Sequence, residues 1–251
     1  MTFSFLSPFT PVQLALCVLS AIFIGMSKGG LKGIAMLAIP FLVYVFGAKA
    51  STGIMVILLL IADFTATIIY RKTIMWNYLL RLFPPALAGI GIGLLMGSYM
   101  SDFWFKLVIG VILLFCAILM IYKETGGKNL NLDNWYFATF MGIIGGFATM
   151  IGNAAGPIMA TYFLAMGLNK NYYVGTESWF FFLTNMLKLL LQIFVWKNVS
   201  TEDVTLSIGL IPFILIGSFM GYQFVKFIPE KGYRIFIISV ILLSTIMMFL
   251  R

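Results

Sequence analysis

Long apolar runs, separated by short polar connections, follow one another along almost the whole chain. A run of about 17 to 25 apolar residues can cross the hydrocarbon core of a bilayer as a helix, which satisfies its own backbone hydrogen bonds there. Six runs have this length: 50–70, 77–98, 102–122, 173–195, 203–223 and 231–250. Four shorter runs, which predict either thin spans or hairpins entering from one face, are 11–27, 31–47, 134–150 and 154–168. The pattern predicts an all-α polytopic membrane protein.

Glycine and proline residues recur in the same order in the two halves of the chain. Gly25 and Pro40 have counterparts of the same type 117 positions later, Gly142 and Pro157. The offset grows to 122 and then 128 further along, and it changes only between apolar runs, where loops accept insertions. The other pairs are Gly29 with Gly146, Gly53 with Gly175, Asp63 with Asn185, Pro84 with Pro212, Gly89 with Gly217 and Gly93 with Gly221. The chain therefore reads as a duplicated unit.

Composition supports the membrane assignment and narrows the chemistry. The 251 residues are 62% hydrophobic and 10% charged, with no histidine and a mean hydropathy of +1.06. Membrane metalloproteases and most lipid-modifying enzymes need histidine or clustered acids, and the acids of this chain are scattered. We therefore expect no enzyme activity, no metal and no cofactor. Cys17 and Cys116 lie in apolar runs and predict packing, since their positions suit neither a disulfide framework nor a metal site.

Basic residues are distributed unevenly among the connections. With the N-terminus outside, nine lie inside (Arg71, Lys72, Arg81, Lys123, Lys128, Lys170, Lys226, Lys231 and Arg234) and four outside (Lys49, Lys106, Lys197 and Arg251). Each repeat then has an odd number of crossings, so we expect two inverted repeats, 1–122 and 134–251, joined by a cytoplasmic linker, 123–133. The net charge of +8 then reflects topology and contact with anionic lipid headgroups, and it requires no nucleic acid.

Each repeat is interrupted near its start by a glycine-rich break, at residues 25–33 and 149–157. Inverted repeats with helices broken at corresponding places are typical of secondary transporters, which bind substrate near the bilayer midplane at such breaks. A helix that begins after a break directs N–H groups and its positive dipole end toward it, which favours an anion. The predicted anion contacts are Gly29, Gly30, Gly152, Asn153 and Ala154. Close helix packing is the alternative, and we favour it for Gly25, Gly29, Gly142 and Gly146.

Charged side chains within apolar runs are costly, and each is a candidate functional group. Lys28 lies beside the first break, where its ammonium group would complete an anion site. The alternative for Lys28 is an ammonium group that reaches the membrane surface, which is what we expect of Lys32. Lys188 lies too deep in its run to reach the surface easily. We therefore predict a buried role for Lys188, in the anion site or in a charge pair.

The acidic residues within the runs have different expected roles. Asp63 and Asn185 occupy equivalent positions in the two repeats, so we expect the acid and the amide to share one place, with Asn185 also a candidate substrate contact. Asp63 would be either a proton site or a counter-charge to Lys188. Glu177 lies near the start of its run and is expected at the membrane interface, where a helix N-terminus favours a carboxylate.

The polar residues within the runs also form a recognisable set. The first repeat carries G-x-S-K-G-G-x-x-G at 25–33, followed by Pro40; the second carries N-A-A-G-P at 153–157, Tyr162, Gly167, Lys170, Gly175, Thr176 and F-F-x-x-N-x-x-K at 181–188. This pattern resembles the sulfite exporter TauE/SafE family of membrane permeases over essentially the whole chain. The resemblance implies a multi-pass permease of the bacterial inner membrane for small sulfur-containing anions such as sulfite, thiosulfate or organosulfonates.

The direction of transport is argued from the membrane potential. A negative interior drives an anion outward with about 2.3 kcal/mol per charge per 100 mV, so export needs no coupling ion. We expect export by alternating access around a midplane anion site. The alternatives are proton-coupled uptake of another small anion and a non-transporting membrane subunit. The expected partners are the anion and membrane lipids, and the sequence is compatible with a homodimer.

Overall fold

The computed structural model describes residues 9–97, 99, 102–124 and 132–250, and the regular elements in these residues are all helical. The α-helices are α1 (Pro11–Gly29), α2 (Ala38–Phe46), α3 (Ala48–Ile69), α4 (Trp76–Gly97), α5 (Asp102–Glu124), α6 (Trp135–Gly152), α7 (Ala155–Ala165), α8 (Lys170–Leu191), α9 (Thr201–Phe227) and α10 (Glu230–Leu250). A 3₁₀ segment, Ile34–Leu37, precedes α2, and a π-helical segment, Gln192–Trp196, continues α8. Six helices in the described residues are long and apolar enough to cross a membrane: α1, α3, α4, α6, α8 and α9. The predicted all-α polytopic architecture is confirmed.

The four short apolar runs form helices of unequal length. α1 has 19 residues and α6 has 18, whereas α2 has 9 and α7 has 11. Side-chain caps fix where the two longer helices begin. Thr10 and Gln13 form a capping box before α1, and the Asn134 side chain accepts the N–H of Phe137 at 2.8 Å at the start of α6. The first run of each pair is therefore a full-length helix and the second is a short one.

Both predicted helix breaks are confirmed. α1 ends at Gly29, and the chain then turns through Gly30 with φ 134° and Gly33 with φ 94°. α6 ends at Gly152 and turns through Asn153 with φ 55°. Positive φ angles are accessible to glycine at little cost, and asparagine tolerates them better than most residues do. The residue types at the breaks therefore explain why the helices stop there.

The described residues fall into two compact units. The first unit contains residues 9–71 and 181–227, and the second contains the described parts of 72–180 and 228–250. Each unit thus takes helices from both predicted repeats. α8 contributes residues up to Phe180 to the second unit and the rest to the first. Most of the predicted linker, 123–133, lies outside the described residues.

In the first unit, α1 packs along α9 so closely that their backbones are in contact, and α3 packs against both helices. A Cβ atom added to Gly25 or Gly29 would overlap backbone atoms of α9. A Cβ atom added to Gly217 or Gly221 would likewise overlap the backbone of α1. The same three helices enclose an apolar core that includes the free thiol of Cys17. No side chain separates α1 from α9 at these four glycines.

In the second unit, α4 packs along α6 in the same way. A Cβ atom added to Gly142 or Gly146 would overlap the backbone of α4, and Gly89 and Gly93 make the reciprocal close contacts on α6. α5 packs against α7 and α10 and carries the other free thiol, Cys116, which is buried. The interpretation of both cysteines as packing residues is confirmed.

The two units use equivalent glycines for equivalent pairings. In each unit, the first helix of one half of the chain packs on the fourth helix of the other half, and both helices contribute two glycines. These glycines are the ones that the duplicated sequence pattern pairs. The packing role of Gly25, Gly29, Gly142 and Gly146 is therefore confirmed. The opposite orientation of the two halves in the membrane stays a prediction.

Replacing Gly89 by alanine should destabilise the protein, whereas the same change at Gly91 in the same helix should not. A Cβ atom at position 89 would overlap backbone atoms of Ile143 and Phe147, whereas one at position 91 meets no described atom within 4 Å. Overpacking costs about 1 to 3 kcal/mol, and alanine in place of a helical glycine stabilises by up to about 1 kcal/mol. Thermal unfolding in detergent measures the difference. Equal unfolding temperatures for the two variants would contradict the close packing of α4 on α6.

Candidate functional site

A buried ion pair lies in the first unit near the end of α1. Lys28 Nζ is 2.9 Å from Asp63 Oδ1, and Asn185 Nδ2 donates a hydrogen bond of 2.7 Å to Asp63 Oδ2. All three side chains are buried. Asp63 on α3 thus engages α1 with one carboxylate oxygen and α8 with the other. The predicted shared place of Asp63 and Asn185 is confirmed, and the lysine within ion-pair distance of Asp63 in the structure is Lys28.

Lys188 lies on α8 three residues after Asn185 and is completely buried. It interacts electrostatically with both Lys28 and Asp63. The ammonium nitrogen of Lys28 lies 3.8 Å from the centre of the Phe181 ring, a distance typical of a cation–π contact. The structure therefore gathers four of the sequence-predicted site residues, Lys28, Asp63, Asn185 and Lys188, around one buried carboxylate.

Lys32 is buried as well, including its ammonium nitrogen. The expectation that Lys32 reaches the membrane surface is wrong. The physical reason is that α1 stops before this residue: the Lys32 N–H donates to the Gly30 carbonyl at 2.9 Å in a tight turn, which folds the chain back. Lys32 interacts electrostatically with Asp63. We call Lys28, Lys32, Asp63 and Lys188 the lysine cluster.

The lysine cluster carries more positive than negative charge. Asp63 and Asp203 are the buried carboxylates among the described residues of the first unit. Asp203 caps the start of α9 and accepts a backbone N–H there at 2.9 Å. Three buried lysine side chains therefore lie around the Asp63 carboxylate. A site with this composition favours an anion over a cation.

The end of α1 is held by contacts that fix the position of Lys28. The Tyr70 hydroxyl donates to the Gly29 carbonyl at 2.8 Å, and Gly29 also lies against the backbone of Ser218. The Gly30 N–H donates to the Ser27 carbonyl at 3.2 Å. Lys28 occupies the last turn of α1, where the negative end of the helix dipole favours a cation. The Gly30 N–H, which the sequence suggested as an anion donor, closes the helix end in this structure.

The second break lies in the second unit and is closed in a similar way. The N–H groups of Asn153 and Ala154 donate to the carbonyls of Thr149 and Ala148, both at 3.2 Å. Gly152 is the last residue of α6. Helix C-termini have carbonyl groups without intrahelical partners, and these N–H groups satisfy two of them. Contact of Gly152, Asn153 and Ala154 with an anion stays a prediction.

Glu177 is completely buried in the second unit, and its depth relative to the membrane interface stays a prediction. α8 begins at Lys170, about two turns before Glu177. The start of the helix is anchored by the carboxylate of Glu230, which accepts the Lys170 N–H at 2.9 Å. The neighbouring Thr176 accepts the Met75 N–H at 2.9 Å. These contacts cover the first turns of α8 and place Glu177 in the interior.

Gln192 was not among the residues predicted from the sequence, and its side chain is completely buried in the first unit. A signal was present, because Gln192 continues the polar positions Asn185 and Lys188 at spacings of three and four residues. Phe181 entered only as part of the family pattern, and its contact with Lys28 has no signal in the sequence. In the described residues, no group of three or more histidine, cysteine, aspartate or glutamate side chains could hold a metal ion.

The comparisons with known proteins agree with this architecture. A family model described as "Sulfite exporter TauE/SafE" matches residues 17–248, nearly the whole chain. The comparison with curated proteins gave no significant match, and neither did the comparison with solved structures. The match includes all four residues of the lysine cluster.

Proposed function

The chain belongs to the sulfite exporter TauE/SafE family, and from this premise we propose that it exports small sulfur-containing oxyanions, such as sulfite, thiosulfate or organosulfonates. Family membership makes it a membrane permease for anions, and the six candidate spans fit a multi-pass protein. The proposed location is the bacterial inner membrane. The proposed mechanism is alternating access, in which the anion meets the lysine cluster during each passage.

The observation that carries the proposal is the gathering of three buried lysine side chains around one carboxylate in the lysine cluster. Lys188 is 0% exposed, and Lys28 and Lys32 are each 6% exposed, against one carboxylate in the cluster. An oxyanion that reaches this place can accept hydrogen bonds from lysine side chains, which are strong when charge-assisted. A cation would be repelled by the same side chains. The cluster therefore supports selection by charge.

The contacts of Asp63 favour export without a coupling proton. One oxygen of Asp63 pairs with Lys28 and the other accepts from Asn185, so the carboxylate is fully engaged as a structural counter-charge. We therefore assign contact with the anion to Lys188 and Lys32. Efflux of an anion runs down the electrical gradient of a cell with a negative interior, by about 2.3 kcal/mol per charge per 100 mV. No further energy source is required.

Liposomes that contain the purified protein and are loaded with sulfite test this function. A potassium diffusion potential that makes the interior negative should accelerate sulfite efflux, and a potential of opposite sign should slow it. The expected driving force changes by about 2.3 kcal/mol per charge per 100 mV. Protein-free liposomes give the background rate. Efflux at the background rate at every potential would contradict the proposal, and efflux that requires a proton gradient would favour coupled transport.

A further inference from the structure

Gln192 is a buried polar residue, and the charges of the lysine cluster do not account for its burial. Its side chain is 0% exposed, and neither the oxygen nor the nitrogen of its amide has a hydrogen-bond partner in the part of the chain that the structure describes. Buried side-chain amides are almost always hydrogen-bonded, because an unpaired buried donor or acceptor is costly. A partner for this amide is therefore expected from outside the described residues.

The position of Gln192 places it beside the lysine cluster. It follows Lys188 by four residues and Asn185 by seven, spacings that put the three side chains on one face of a helix. Gln192 begins the π-helical segment Gln192–Trp196, and its backbone carbonyl accepts the N–H of Asn198 at 3.2 Å. Single π-helical turns are frequent at functional sites. The backbone of Gln192 is thus fixed at the point where the polar face of α8 continues.

The hydrogen-bonding groups on this face define the ligand that would satisfy them. Lys188 offers donors alone, whereas the Gln192 amide offers both donors and an acceptor oxygen. The Oδ1 atom of Asn185 is a second buried acceptor that has no hydrogen-bond partner among the described residues. An oxyanion without hydrogen would satisfy the donors and repel the two acceptors. An oxyanion that retains one acidic hydrogen satisfies both kinds of group.

We propose that Gln192 is a specificity-determining residue, which contacts the anion bound at the lysine cluster and selects oxyanions that carry a hydroxyl hydrogen, such as hydrogen sulfite. The ammonium group of Lys188 and the Nε2 group of Gln192 donate to the bare oxygens of the anion. The Oε1 atom of Gln192 accepts the hydroxyl hydrogen. This inference rests on the proposed function, because it requires an anion at the cluster.

Two monoanions of similar size separate this inference from the proposed function. Hydrogen sulfite has a hydroxyl hydrogen in an acidic buffer, whereas methanesulfonate has a methyl group and no acidic hydrogen. Isothermal titration of the purified protein with each anion gives two affinities and their ratio. The wild type should prefer hydrogen sulfite by roughly tenfold or more, since a site that hydrogen-bonds a ligand hydroxyl discriminates against analogues that lack it. Gln192→Met should bring the two affinities to within about threefold, because methionine has the same length and no strong hydrogen-bonding group.

The control variant is Lys188→Met, which should weaken both anions alike and leave their ratio close to that of the wild type. Thermal unfolding checks that each variant is folded, and Gln192→Ala with the same two anions replaces Gln192→Met if the methionine variant is not. An unchanged ratio in the Gln192 variant, with both anions bound by the wild type, would overturn the role of Gln192 and leave the proposed function standing. Binding of neither anion by the wild type would overturn both.

Discussion

Lys188→Met should strongly weaken anion transport while leaving the protein at least as stable as the wild type. The ammonium group of Lys188 is completely buried beside Lys28. Removing a buried charge that contacts a ligand of opposite charge costs about 2 to 5 kcal/mol of binding free energy. Replacing a buried ionic group by an apolar one of similar volume is often neutral or stabilising. The affinity for the anion should therefore fall while the stability of the protein does not. A variant that was simply misfolded would lose both.

The measurements for Lys188→Met are sulfite efflux from liposomes and the thermal unfolding temperature. The matched control is Lys226→Met, which removes an exposed lysine of the same unit and should leave both quantities close to their wild-type values. Wild-type efflux by a folded Lys188→Met protein would show that this ammonium group takes no part in anion binding. Loss of both folding and efflux would assign Lys188 a structural role.

Asp63→Asn should destabilise the protein strongly. The substitution keeps the shape of the side chain and its contact with Asn185, but it leaves the buried ammonium group of Lys28 without the carboxylate at 2.9 Å. Breaking a buried ion pair by removing one partner costs about 3 to 5 kcal/mol, because the remaining charge stays desolvated. We expect a large fall in unfolding temperature and a low yield of folded protein.

The double variant Lys28→Met/Asp63→Asn should recover most of that loss, because it removes the stranded charge together with its partner. The single variants and the double variant form a double-mutant cycle, measured by thermal unfolding. Additive effects of the two substitutions would contradict a direct pairing of Lys28 with Asp63. A folded Asp63→Asn protein that lost only its response to pH would instead identify Asp63 as a proton site.

The regular part of the fold was predictable because the bilayer imposes a length and a polarity on each helix. The predicted run 77–98 corresponds to α4, Trp76–Gly97, and the break after Lys28 falls where Gly30 takes a positive φ angle. The duplication also predicted that Asp63 and Asn185 share one place, and the structure has a hydrogen bond between them there. The repeated pattern thus indicated that two residues 122 positions apart lie near each other, which hydropathy alone does not indicate.

The details of the candidate site were less predictable, because they depend on how helix ends and helix faces pack. Lys32 was expected at the surface because helical spacing from Lys28 was extended past the end of α1. Glu177 was predicted at the membrane interface from its distance to the start of an apolar run. That distance does not indicate that neighbouring segments cover the first turns of α8. The N–H groups expected to bind an anion at Gly30 and Asn153 are taken up by carbonyls of the preceding helices. Sequence periodicity indicates which residues share a face, but it does not say what covers that face.

The glycine contacts between α1 and α9 have a mechanical consequence. Gly25 and Gly29 lie against the backbone of α9, and two glycines of α9 lie against the backbone of α1. The two helices therefore interlock at these four positions. Sliding one past the other by a single residue would drive a side chain into a backbone carbonyl group. The depth of Lys28 in the membrane is therefore set by α9. A conformational change that separated Lys28 from Asp63 by moving α1 would therefore have to move α9 together with α1.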